Sequence, residues 1–371
     1  MQNCFRIGGG FHYNFTHYSF GRHRWSFDRR RWRIACALHV KKLLKNSLNL
    51  LAANFGPHRL AADGSPRLWV LMYHRILPPT DARFAGEEPG MIVTPDSFRQ
   101  HLQTIKKLFE VLPLSEWMER RAQGKPLPRR ACAVTFDDGW LDNLEYALPI
   151  LRQEQVPATV FAVAGMVGTQ QQFWPNRLAR LLTTPGVERS HEAFAWLQPL
   201  AGYRAAGALS TEAIAAVIDA CKRFSDPQLA AHLERMEAVA ALPPGTAPAL
   251  MDWSQLHRMQ ESGLVEIGSH TRHHYRLAGD LPSQLLHDEI AGSRAQLEQM
   301  LDRPVKLFCY PNGDVSPPAA ELVGKHYLAA VTTRRGINSA ATPAHALSRI
   351  GVHEHIGDTD RRFQARLSGW M

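Results

Sequence analysis

Short apolar runs of strand length alternate with helical patterns between residues 68 and 352, which predicts an α/β fold with a mostly parallel sheet, open or closed into a barrel. Two further observations agree. The runs are continuously apolar, as strands covered on both faces require, and the two most distinctive polar motifs each follow directly on such a run.

After the turn-forming Asp63-Gly64-Ser65-Pro66, residues 68–75 (Leu-Trp-Val-Leu-Met-Tyr-His-Arg) form the first strand candidate. Thr94-Pro95-Asp96 opens a helix reaching about Phe109, with Pro at the first helical position. Further strands are predicted at 131–137, 158–163, 264–268, 305–310, 327–332 and 347–352, and helical patterns at 142–154, 253–262, 283–301 and 317–325. Residues 173–250 interrupt this rhythm. They are Ala- and Leu-rich with helical spacing and end in Leu242-Pro243-Pro244-Gly245, and they read as a helical insertion between two strands.

The 371 residues carry a net charge of +9, unevenly spread. Residues 1–60 hold eleven Lys and Arg against Asp28 alone, so +10 belongs to this basic N-terminal extension and −1 to residues 61–371. A nucleic-acid partner is therefore not expected. Residues 1–33 have no period and read as a disordered arm, or as translated sequence upstream of the true start. From residue 38 to 55, Leu38, Leu43, Leu44, Leu48, Leu51 and Phe55 recur at helical spacing beside Lys41, Lys42 and Lys45. Such a helix suits peripheral contact with an anionic membrane or packing on its own domain, with packing preferred. No apolar run reaches the roughly 18–20 residues of a membrane helix, and no signal peptide is visible, so the cytoplasm or the cytoplasmic membrane face is expected. The five cysteines contain no C-x-x-C pair and suggest neither a disulfide framework nor a zinc ribbon.

Thr135-Phe136-Asp137-Asp138-Gly139 ends the strand candidate at 131–137. Adjacent carboxylates beside a buried strand are costly unless neutralised, and a divalent cation does so directly; a turn with a helix cap is the plainer alternative. Ser269-His270-Thr271-Arg272-His273-His274 follows the strand at 264–268, and His270 and His274, four apart, suit a shared metal. One Asp with two His makes a three-ligand site open to water and substrate, the pattern of a catalytic metal.

On these residues the sequence resembles the polysaccharide deacetylases of carbohydrate esterase family 4. Asp137-Asp138 and His270-x-x-x-His274 match the family's first two motifs, Phe308-Cys309-Tyr310-Pro311-Asn312-Gly313 resembles its strand-end Tyr-Pro motif, and Met72-Tyr73-His74-Arg75-Ile76 and Leu347-Ser348-Arg349-Ile350 are further echoes. The resemblance covers roughly residues 67–370 and implies a distorted, incomplete (β/α) barrel of about seven strands. It also implies metal-dependent removal of acetyl groups from N-acetylated sugars of a polysaccharide or glycolipid. By position, Asp138, His270 and His274 would bind the metal, Asp137 would be the general base, and the Tyr310 backbone N–H would stabilise the oxyanion.

His353, ahead of His355, is the candidate for protonating the leaving amine. The Arg that begins the family's third motif is absent before Tyr310, leaving Arg75 or Arg349 to orient the base. His74, Arg75, Trp174 and Pro311 are candidate substrate-binding residues, Trp174 as a stacking face for a pyranose or as a packing residue. Cys309 reads as a small buried residue. Zinc suits the ligand set, as do cobalt, nickel and manganese. Removal of formyl groups or of O-acetyl groups would use the same site, and a catalytically idle glycan-binding protein is the alternative from another class.

Overall fold

The computed structural model describes residues 47–59, 64–84, 87, 90–240, 242, 249–279 and 281–370, and residues 48–371 form one unit. The expected arm over residues 1–33 and the first part of the expected 38–55 helix lie outside the described residues.

Helix α1 (47–55) precedes strand β1 (Arg67–Tyr73). The chain continues through the short pair β2 (Arg75–Ile76) and β3 (Ile92–Val93), then α2 (Pro95–Leu108), β4 (Glu110–Val111), α3 (Leu114–Ala122) and β5 (Arg130–Phe136). A π turn at Asn143–Ala147 enters α4 (Leu148–Glu154), which leads to β6 (Ala158–Ala162). Helices α5 (Trp174–Thr183), α6 (Thr211–Cys221) and α7 (Asp226–Val239) follow, then α8 (Trp253–Glu261) and β7 (Val265–Ser269). The last part comprises α9 (Ser283–His287), α10 (Ser293–Leu301), β8 (Leu307–Cys309), α11 (Pro317–His326), β9 (Ala329–Arg335), β10 (Asn338–Ser339), β11 (Leu347–Gly351), α12 (Glu354–Gly357) and α13 (Asp360–Leu367).

Seven parallel strands close into a ring in the order β1-β5-β6-β7-β8-β9-β11, and β11 returns to β1. This is the (β/α) barrel expected, one strand short of eight. The β1–β5 seam is the longest, paired from Arg67↔Arg130 to Tyr73↔Phe136, whereas β7 and β8 share the single pair Ser269↔Phe308. The continuous apolar runs are explained by burial on both faces. Val70, Ala133, Phe161, Leu307, Val331 and Leu347 meet inside the ring, while the alternate residues Leu71, Val134, Val160, Phe308 and Ala330 pack under the helices. Gly268 makes this filling work, because a Cβ there would stand 2.5 Å from the Phe161 ring.

Local signals behave as read. Thr94 caps α2 by accepting from the Ser97 N–H, and Asp252 and Gln255 cap α8 reciprocally. Helices α5 to α7 bury a core of their own, including Leu178, Leu181, Phe194, Leu229 and Met236. The chain returning from them is pinned to the Asp137-Asp138 loop by Met251 N–H to the Gly139 carbonyl (3.0 Å) and Leu141 N–H to the Ala249 carbonyl (2.9 Å).

Helix α1 differs from expectation in which face it buries. Ala52 and Ala53 pack on Ala365 of α13, while Leu48, Leu51 and Phe55 are 53%, 52% and 56% exposed. Small side chains allow α1 to approach α13 closely: a Cβ on Gly56 would meet Ser368 Cβ at 2.5 Å. Among the described residues, no helix is long and apolar enough to cross a membrane.

Candidate active site

Asp137 and Asp138 follow β5 directly, and Ser269-His270 ends β7, so both motifs lie at the carboxyl ends of the barrel strands, where the loops build the site. Asp138, Thr271 and His274 adopt positive φ (75°, 66° and 62°), which is costly for residues with a Cβ and worst for β-branched Thr271. Such strain persists where the surroundings over-determine it, as at functional loops. It turns Asp138 towards the His motif. Asp138 Oδ1 lies 3.5 Å from His270 Nε2 and 3.4 Å from His274 Nε2, and the three donor atoms fall within 4.8 Å of one another.

These residues fit a divalent cation. Tetrahedral ligands at zinc's usual bond lengths stand about 3.4 Å apart. The Cys309 carbonyl accepts from His270 Nδ1 at 2.8 Å, which leaves the Nε2 lone pair free for a metal. Burial and the neighbouring His270 bring the His274 pKa down to about 4, so its imidazole is neutral, as a ligand must be. Trp140 Nε1–H donates to Asp138 Oδ2 at 2.8 Å and fixes the carboxylate. The overlapping group Asp137, His270 and Cys309 is a poorer set, because burial pushes the Cys309 thiol well above its ordinary pKa.

Asp137 is 2% exposed and is clamped by Arg349, itself 1% exposed, through bonds of 2.6 and 2.7 Å to its two oxygens. Burial opposes ionisation, but the Arg349 charge and hydrogen bonds overcome it and hold the carboxyl well below the usual carboxylate range. Of the two Arg candidates, Arg349 is the one bonded to Asp137. Arg75, expected also to touch substrate, is committed elsewhere. Its Nε and one terminal nitrogen donate to Asp142 Oδ2, both at 2.9 Å, the other terminal nitrogen pairs with Glu87, and its guanidinium lies 4.2 Å from the Trp140 ring centroid. It supports the tryptophan that holds Asp138.

His74 points at Asp137, with Nε2 3.8 Å from its Oδ2, whereas His353 has Arg366 and His355 as its neighbours and a buried Nδ1 without a partner among the described residues. The Tyr310 N–H is used in the barrel ladder, donating to the Val331 carbonyl at 3.2 Å, so the oxyanion donor expected there is already spent. Pro311 is buried in a short turn and offers a substrate no surface. Trp174, half-buried at the start of α5, lines a cleft shared with His273, His274 and Tyr275.

Sequence reasoning missed three supports, Trp140 (described above), Phe173 and Glu289. Phe173 packs edge-on to His274 (4.7 Å between ring centroids) and to Trp140 (5.3 Å). Glu289, fully buried, accepts from the backbone N–H groups of Arg272 (3.1 Å) and His273 (2.9 Å), and its other oxygen lies 2.6 Å from His273 Nδ1. This clamp makes His273 a neighbour of the site, and the hydrogen bond to Glu289 raises its pKa. A Trp directly after Asp-Asp-Gly was a visible cue; Glu289 lies within the helical pattern expected at 283–301, with nothing in the sequence to mark its burial.

The sequence model of the polysaccharide deacetylase family matches residues 124–193 and 206–331, more than half of the chain. A Bacillus subtilis (strain 168) protein named among the polysaccharide deacetylases, YxkH, is 24% identical over 116 residues, covering 31% of this chain and 38% of that protein. Among solved structures, the Streptococcus pyogenes deacetylase PplD in complex with acetate superposes with a TM-score of 0.53 at 19% identity, covering 79% of this chain and 95% of that one. IcaB from Ammonifex degensii gives 0.51 at 20% identity, covering 81% and 97%. At these identities the structural matches speak for a shared fold.

Proposed function

The chain belongs to the polysaccharide deacetylase family, and from that premise we propose that it is a metal-dependent carbohydrate deacetylase cleaving the amide of an N-acetylated amino sugar. The observation that carries this reading is the convergence of Asp138, His270 and His274 beside a carboxylate held ionised by a buried Arg.

Asp138 Oδ1 and the Nε2 atoms of His270 and His274 would hold the cation. When bound, it lowers the pKa of the attacking water and polarises the acetyl carbonyl. Asp137, kept ionised and oriented by Arg349, takes the water's proton as the oxygen attacks the acetyl carbon. The C–N bond then breaks, and the amine needs a proton. His74, across from Asp137, is placed to give it, so we assign it that role in place of His353. Because the Tyr310 N–H is engaged, stabilising the oxyanion falls to the positive charge held by the triad.

Zinc-loaded protein should release acetate from N-acetylglucosamine oligomers and lose this activity to a chelator. Asp137→Asn should retain stoichiometric metal while its kcat falls by about 10²–10⁴. Near wild-type turnover by metal-loaded Asp137→Asn would remove Asp137 from the role of base.

A further inference from the structure

We propose that the outward face of α1 is a docking surface for an anionic lipid bilayer, which holds the protein at the membrane with the barrel mouth turned to solution. This docking is independent of the reaction assigned above.

Packing and membrane contact, the two uses open to residues 38–55 in the sequence, engage different faces of α1. At 3.6 residues per turn, Leu48, Leu51 and Phe55 fall within about 60° of one another, while Asn49 and Ala53 lie on the opposite side and Ala52 at the boundary. Asn49, Ala52 and Ala53 are buried, and the two alanines pack on Ala365 of α13; Leu48, Leu51 and Phe55 are each more than half exposed. The helix is therefore docked by its small side chains, and its large apolar ones are left in water.

Such exposure is concentrated here. Among the described residues eight large apolar side chains are exposed, and five of them, Leu48, Leu50, Leu51, Phe55 and Trp370, belong to this corner of the molecule. Trp370 is placed there by Ser368, whose Oγ accepts the Trp370 N–H at 3.0 Å and whose Cβ stands against Gly56 at the end of α1. A clustered apolar surface marks an interaction site, and a tryptophan beside a leucine-rich helix suits the boundary between headgroups and acyl chains.

Charge chooses the partner. Residues 1–46 carry ten Lys and Arg against Asp28 alone, with Lys41, Lys42 and Lys45 shortly before α1, whereas residues 61–371 sum to −1. The body does not balance this charge, so the partner must offer anionic and apolar surface together. An anionic bilayer does both, because its surface potential attracts the lysines while Leu and Phe side chains enter below the headgroups. A second copy seated on the same face would bring its own basic segment alongside, like charge against like. The contact is peripheral, since no described helix is long and apolar enough to cross a membrane.

The position of α1 sets the orientation. It packs on the last turn of α13, and just beyond it the His58 carbonyl accepts from Arg130, the first residue of β5, at 3.0 Å. Arg130 marks the amino end of the barrel strands, whereas Asp137 lies past their carboxyl end. Docking through α1 leaves the Asp137 end free.

Full-length protein is to be cosedimented with vesicles of phosphatidylcholine alone or mixed with phosphatidylglycerol. Wild type should bind the mixed vesicles at least about tenfold more tightly than the neutral ones, and Leu51→Gln with Phe55→Gln should weaken binding to the mixed vesicles at least about tenfold. Because both side chains already face water, this double variant should keep the wild-type Tm to within about 2 °C. Leu51→Phe with Phe55→Trp, which stays apolar, should keep vesicle binding. Failure of the wild type to bind either vesicle, equal binding to both, or a Gln double variant that binds as wild type does would each overturn the proposal, the last by assigning attachment to the basic segment alone. A dimer in sedimentation equilibrium that the Gln double variant abolishes, without vesicle binding, would give the face to a second copy instead.

Discussion

Replacing Arg349 by Met keeps the side-chain bulk inside the barrel but removes the guanidinium that bonds both oxygens of Asp137. Asp137 would then be a 2% exposed carboxylate without its counter-charge. Removing one partner of a buried pair costs about 3–5 kcal/mol, about a 4–6 °C fall in Tm for a chain of this size. At about 1.4 kcal/mol per pKa unit, the same loss raises the Asp137 pKa by about two to four units.

The sign of the pH effect follows. In the wild type the folded pKa lies below the unfolded value of about 3.9, so this contribution to stability is present above that pH and lost only as pH falls through the depressed folded value. In Arg349→Met burial is no longer overcome, and the folded pKa climbs to about the unfolded one. The stabilising contribution of ionised Asp137 is then missing at neutral pH, and the deficit against wild type shrinks as pH falls through the raised value. Acetate release between pH 4 and 9 should show the acidic limb of kcat/KM moving up as Asp137 begins to protonate at the low end of that window, with Arg349→Lys between the two because it keeps charge but loses the two-pronged grip. The double variant Arg349→Met, Asp137→Asn should regain most of the lost Tm while staying inactive. An Arg349→Met enzyme with the wild-type acidic limb and a Tm within about 2 °C of wild type would refute the reasoning.

Trp140→Phe removes the donor to Asp138 Oδ2 but keeps a ring for Arg75 and Phe173, and metal affinity measured by chelator competition should fall about 10–100-fold. The His273–Glu289 contact raises the His273 pKa, so its contribution is complete below the ordinary value of about 6.5 and is lost as pH rises through the raised one. The Tm deficit of Glu289→Gln should accordingly be larger at pH 6 than at pH 8.5; a flat difference would exclude the ionised contact. Gly268→Ala forces a Cβ into the Phe161 ring and should cost about 1–3 kcal/mol in denaturant melts, with Phe161→Leu recovering part of it.

The strands were legible because burial on both faces makes each a short unbroken apolar run, and all seven ring strands coincide with predicted ones. The candidate triad was legible because two of its residues share one loop and the third lies in a motif of its own, each directly after a strand. What could not be read depends on where backbone groups and distant side chains are spent. Tyr310 falls at a strand end in the sequence, but whether its N–H is free depends on its pairing with Val331. Arg75, next to His74, looked equally available for the site until Asp142 and Glu87 claimed it.

Arg349 shows how ring closure decides such a question. It is 212 residues from Asp137 in sequence, yet β11 pairs with β1 at Leu71↔Ile350, and β1 pairs with β5 at Leu71↔Val134. Two strand spacings of about 4.8 Å separate β11 from β5, a gap that an inward-pointing Arg can bridge across the lumen. The inward positions alternate, so Leu347 and Arg349 share a face with Ala131 and Ala133, and Asp137 continues that face just beyond β5. Room for the guanidinium comes from Cys309, whose small side chain stands in the Tyr-Pro motif that lacks its Arg and whose Sγ lies 3.2 Å from an Arg349 terminal nitrogen. A larger residue at 309 would crowd that guanidinium. The Cys309 that stands where the resemblance leads one to expect an Arg and the buried late-strand Arg are therefore two sides of one arrangement: the clamp on Asp137 is delivered from the strand that closes the barrel.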